Sequence, residues 1–211
     1  MISNIVTFFQ FREIAIIFLV CFIIPEYTVG QEQFSDQSFV IIEEEITQYG
    51  ITSIIKDEDG FLWIGSNGDG LFRYNSIEFK NYKKEYNLED VSLNSSIVYC
   101  ILQDQKKRIW VGTEQGINLY DVDEDKFEDI YHLEGEKKLK LAVHSIAEFN
   151  QKFLLLGTHG KGLYQFNHKN RKFNLVSNKS SFSNAGLLIN GLSRSKKGKF
   201  FVGTNRGLMI F

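Results

Sequence analysis

The sequence predicts an all-β fold, a β-propeller assembled from four-stranded antiparallel blades, and three observations predict it. A glycine-centred pattern returns four times along the 211 residues. Each return sits among short strand candidates separated by turns. The second strand of each group is apolar on successive residues, which marks a strand covered on both faces. Composition agrees: hydrophobic residues make up 43%, aromatics 14%, with 19 Phe, 9 Tyr and a single proline, Pro25. That is globular, strand-favouring material.

The first thirty residues read differently. "IAIIFLVCFII" (Ile14 to Ile24) follows Arg12 and precedes "PEYTVG". This is the layout of a secretory signal peptide over residues 1–30, with a cut near Gly30–Gln31. The apolar run is shorter than the ~20 residues an ordinary membrane helix needs. Retention as an anchor remains the alternative. After Gly30 there are 23 Lys and Arg against 24 Asp and Glu, so no basic face for nucleic acid is implied. Cys100 is then the sole cysteine, which leaves no internal disulfide. The region after the leader is expected to be exported to the periplasm with no further membrane span.

The repeats occupy residues 31–211. "SFVII" (Ser38 to Ile42) reads as a lone outer strand, 39–42, ahead of the first blade. The pattern itself appears as "LWIGSNGDGLFRYN" from Leu62, "IWVGTEQGINLYD" from Ile109, "LLLGTHGKGLYQFN" from Leu154 and "FFVGTNRGLMIF" from Phe200. Its first glycines, Gly65, Gly112, Gly157 and Gly203, are spaced 47, 45 and 46 residues apart. Ser66, Thr113, Thr158 and Thr204 follow them. Gly70, Gly116, Gly162 and Gly207 come next, and Tyr74, Tyr120, Phe166 and Phe211 stand four residues further on. Blades are expected at about 51–82, 96–132, 143–177 and 189–211, the last incomplete. Four strands per ~40–45 residues is the arithmetic of a propeller blade. The glycines are read as hairpin residues that allow positive φ. Trp63, Trp110, Leu155 and Phe201 share one slot and are expected in the core between blades.

"ITSIIKDEDGFLWIGSNGDGLFRYN" and "SSIVYCILQDQKKRIWVGTEQGINLYD" resemble the two-component regulator propeller repeat. The third and fourth copies lose the Trp, and the third replaces the D-x-x-G turn with Asn150 and Gln151. The resemblance implies an N-terminal piece of the periplasmic sensor region of a hybrid two-component histidine kinase. The kinase parts, the natural partners of such a region, would lie elsewhere. It also implies an oligosaccharide or other small ligand. Two architectures stay open, a truncated larger ring and a closed four-bladed ring with 39–42 pairing beside Leu208 to Phe211.

Chemistry-bearing motifs are sparse. "DVDEDKFEDIYH" (Asp121 to His132) starts like a calcium loop but lacks its glycine and final glutamate. His132, His144, His159 and His168 have no zinc spacing. Asp57 and Asp104 share a turn position, which favours a hairpin role over catalysis. Asn94 and Asn178 head glycosylation triplets. No catalytic residue, metal or cofactor is implied. The candidate ligand residues lie in the loops between second and third strands: Asn67 and Asp69, Glu114 and Gln115, His159 and Lys161, Asn205 and Arg206. A non-catalytic sensing module is the leading expectation. A self-contained carbohydrate- or protein-binding propeller and a propeller lyase or glycosidase are the alternatives.

Overall fold

In the computed structural model of the chain, residues 47–85, 92–134, 137–176 and 186–210 are described. The leader, the 39–42 strand, Asn178 and Phe211 lie outside them, as do parts of the connections Lys84 to Ser96 and Asn178 to Leu188. The described residues form strands and turns and no helix.

The first blade is β1 (Ile51–Lys56), β2 (Leu62–Ser66), β3 (Leu71–Tyr74) and β4 (Phe79–Tyr82), paired antiparallel in that order. The second is β5 (Val98–Gln103), β6 (Ile109–Thr113), β7 (Ile117–Asp121) and β8 (Lys126–Ile130). A short hairpin, β9 (His132–Glu134) with β10 (Lys137–Leu139), follows, and the sequence pattern did not anticipate it. The third blade is β11 (Val143–Asn150), β12 (Phe153–Gly160), β13 (Leu163–Asn167) and β14 (Lys172–Leu175). The fourth contributes β15 (Leu187–Arg194), β16 (Phe200–Thr204) and β17 (Gly207–Ile210). Here β12 runs on to pair His159 and Gly160 with Leu188 and Leu187, which joins the third and fourth sheets. The fold is an all-β array of propeller blades, as the repeat predicts.

Each repeated residue has a physical task. The hydroxyls of Ser66, Thr113, Thr158 and Thr204 donate across the loop to the carbonyls of Gly70, Gly116, Gly162 and Gly207. Those second glycines hold positive φ, for example 80° at Gly70. The first glycines do not, and this corrects the hairpin reading for them. A Cβ on Gly65 would lie 2.7 Å from Val98 Cγ1, and one on Gly157 would lie 2.5 Å from Ile189 Cγ2. At Gly65 and Gly157 a glycine is needed because the first strand of the next blade crosses against it. Beyond the loop, Tyr74, Tyr120 and Phe166 meet Phe79, Phe127 and Phe173 across the sheet, the first pair stacked and the other two tilted. Asn75, Asp121 and Asn167 accept backbone N–H groups two or three residues ahead, closing Asx turns.

The core is a series of inter-blade clusters. Trp63 packs with Val98, Ile101, Val111 and Phe127 of the second blade. Trp110 packs with Leu154, Leu156 and Phe166 of the third. Leu155 packs with Ile189, Phe200 and Val202 of the fourth. Phe201, expected in the same role, is only half-buried, while Phe200 beside it is 2% exposed. The slot points forward, and no described blade stands in front of β16.

Asp57 and Asp104 are more than turn formers. The indole N–H of Trp63 donates to Asp57 Oδ2 at 2.7 Å, and that of Trp110 to Asp104 Oδ2 at 2.8 Å. Each buried tryptophan thereby has its polar atom satisfied. The calcium-like loop serves another end. Asp125 accepts from the hydroxyls of Tyr82 and Tyr120 at 2.6 Å and pairs with Lys80 and Arg73. Burial opposes its charge, but these donors outweigh that and hold the carboxyl at about 2. It clasps the second blade to the first.

Candidate functional site

Each first strand is entered through the same device. The backbone N–H groups of Asn67, Glu114, His159 and Asn205 donate to the carbonyls of Gly50, Ile97, Ala142 and Leu188; the first three lie one residue before β1, β5 and β11, and Leu188 is the second residue of β15. The loop between second and third strands is thus tied to the start of its own inner strand. A register shift follows at once in every copy, between Ile51 and Ser53, Val98 and Cys100, Val143 and Ser145, and Ile189 and Gly191. The extra residue of each bulge is Thr52, Tyr99, His144 or Asn190. A bulge re-aims its side chain out of the alternation.

The consequence is a ring cluster. Tyr99 and His144 lie 4.0 Å apart by centroid, and His144 and His159 4.9 Å apart. Burial first, and then the neighbouring His159, hold the His144 imidazole below its ordinary pKa, so it is neutral at pH 7. Burial and the Glu114 carboxylate push the Tyr99 phenol up. Three rings from two blades therefore stand in one place with an acceptor beside them. Thr52 is exposed, and its hydroxyl donates to Val98 O at 2.7 Å.

The eight loop residues expected to contact a ligand divide. His159 is part of the ring cluster, and the exposed Glu114 acts on Tyr99 through its charge. Asp69 is committed elsewhere: it accepts from Thr47 at 2.7 Å and pairs with Lys83 at 3.0 Å, which holds its carboxyl below the usual range. Asn205 is used on backbone, accepting from Leu188 N and donating to Gly186 O. Gln115 is half-buried, and Asn67, Lys161 and Arg206 are exposed on the same loops. Sequence reasoning missed Tyr99 and His144. The signal was present, as a polar or aromatic residue one place into an otherwise apolar first strand. Asn94 heads a glycosylation triplet, yet its amide is buried and bonded to Asp129 and Thr113.

Two segments match the family model of the two component regulator propeller, residues 46–68 and 92–115. Both segments are similar to the two-component regulator propeller repeat. Each matched segment runs through a first strand, a second strand and into the loop that carries the candidate residues. The chain is 36% identical over 76 residues to Histidine kinase P4 of Formosa agariphila, a match covering 34% of this chain and 6% of that protein. Among solved structures, an extracellular domain described as belonging to a hybrid two-component system of B. thetaiotaomicron aligns over 76% of this chain at 23% identity and a TM-score of 0.62. PorZ, described as a surface component of the type-IX secretion system of Porphyromonas gingivalis, aligns over 77% at 16% identity and a TM-score of 0.60. These two likenesses are likenesses of fold. The chain spans 20% and 26% of the length of those structures.

Proposed function

We propose that these repeats form a non-catalytic, ligand-sensing module of an extracytoplasmic two-component sensor. The match to the regulator propeller family and the kinase named in its relative support the parentage. The leader-like segment Ile14 to Ile24 supports export, with a mature N-terminus near Gln31. The observation that carries ligand binding is the cluster of Tyr99, His144 and His159 beside Glu114. Flat rings offer stacking surface to the C–H face of a sugar, and a carboxylate accepts its hydroxyls. The ligand class is therefore a neutral oligosaccharide. Phosphoryl transfer belongs to other parts of such a sensor.

Calorimetry of the full chain against neutral oligosaccharides tests this. One of them should bind, and Tyr99→Ala and His144→Ala should each weaken it about tenfold, or ~1.4 kcal/mol. Binding untouched by either substitution, or no binding across the panel, overturns the assignment of the site. N-terminal sequencing of the exported product tests the leader.

A further inference from the structure

The first-to-second-strand turns lie at the other end of the inner strands, since β1 starts opposite Ser66 and ends opposite Leu62. In the first two blades this turn opens on a buried aspartate. Asp57 and Asp104 fill it and are consumed by the tryptophan N–H groups. In the third blade the tryptophan is Leu155, and the turn is Asn150, Gln151 and Lys152. The exchange removes the buried acid and adds a cation.

A cavity of about 500 Å³ opens there between the second and third blades. Lys106, Arg108, Lys152, His168 and Lys169 line it, with the amides of Gln151 and Asn167. No carboxylate lines it among the described residues. The neighbouring cavity, between the first and second blades, shares Lys106 and Arg108 but includes Asp57 and Asp59. Nearby acids face other groups. Asp104 Oδ2 accepts from Arg108 Nε at 2.7 Å as well as from Trp110, and Glu148 accepts from the backbone of Gln105. Arg108 lies over the Trp110 ring, and its Nη2 is 3.3 Å from His168 Nε2. Lys106, Lys152 and Lys169 have no ion pair among the described residues. All three are exposed, so their mutual repulsion is softened by solvent, but together they line the hollow with positive charge that favours an anion. In a chain of net charge −2 this is a local concentration and no reflection of a basic protein.

We propose that this hollow is a second ligand site, which takes an oxyanion, a carboxylate or sulfate, through Lys106, Lys152 and Lys169. Arg108, held by Asp104, presents its remaining N–H edge, and Gln151 and Asn167 supply neutral hydrogen bonds. The volume is that of a small-molecule pocket. The site is independent of the ring cluster at the opposite end of the inner strands.

The full chain is titrated at low ionic strength with sodium sulfate and, separately, with trigalacturonate, by calorimetry and by NMR of the His168 imidazole. Saturable binding of either probe is expected, with a shift of the His168 resonances. A trigalacturonate affinity at least ten times that for sulfate identifies a sugar acid as the source of the oxyanion, and equal affinities identify the free ion. Lys152→Gln with Lys169→Gln should weaken binding at least tenfold, while Tyr99→Ala should leave it unchanged. Absence of saturation with both probes, or full affinity in the double-lysine variant, overturns the site. Neither result bears on neutral sugar binding at Tyr99 and His144.

Discussion

At the scale of single residues, the most informative contrast is between glycines of identical sequence context. Gly112 sits with a missing Cβ facing Cys100 Sγ and, at 2.8 Å, the carbonyl of Val143. Gly203 has nothing nearer its missing Cβ than Gly191 O at 3.8 Å. Gly112→Ala is expected to cost roughly 1–3 kcal/mol by overpacking, whereas Gly203→Ala should be near neutral; urea unfolding of the two variants distinguishes them. Trp110→Ala should cost roughly 3–5 kcal/mol and also remove one donor from the buried Asp104, which keeps Arg108. The sequence made the tryptophan slot legible, because its spacing repeats, but exposure within the slot depends on the next blade. That is why Phe201 departs from Trp63, Trp110 and Leu155. Burial pushes the Cys100 thiol up to about 12, so alkylation of the native chain at pH 8 should be slow and should accelerate on unfolding.

At the scale of strands and turns, alternation and turn chemistry made the main strands of each blade readable in advance. Two features were not readable. The β9–β10 hairpin has no counterpart in the other copies, so the repeat did not announce it even though Gly135 stands between its strands in the sequence. The bulges displace Tyr99 and His144 by one position, which no period-two pattern reports. The third-to-fourth-strand turn carries a pH signature. Burial first, then Arg108, lowers His168 to about 4. The unfolded chain binds a proton near the ordinary value of ~6.5 while the folded chain does not. His168 therefore contributes stability that is full above that value and is lost as pH falls through about 4. Thermal melts from pH 7 to 4 should show a decline that His168→Gln reduces.

At the scale of the whole set of blades, the two end faces differ from the internal ones. Ile51 and Ile54 of β1 are 50% and 55% exposed, while their counterparts Val98 and Ile101, Val143 and Ile146 are buried. Leu208 is 63% exposed, while its counterparts Leu71, Ile117 and Leu163 are buried. Both end faces thus expose apolar positions that the internal junctions bury. Uncovered apolar faces favour association. Sedimentation of the full chain should show mass rising with concentration, and Leu208→Lys should reduce it.

The close approach at the first glycines also sets a rule for how such a chain can change length. Gly65 meets Val98 and Gly157 meets Ile189, so every junction accepts any neighbour that offers the same branched residue at the same offset. Loss or gain of one whole period leaves each junction chemically matched. Loss of half a period presents a turn to a glycine pocket. Indels in this gene should therefore survive in steps of about 46 residues and be eliminated in between, a quantisation of chain length imposed by the absence of a methyl group.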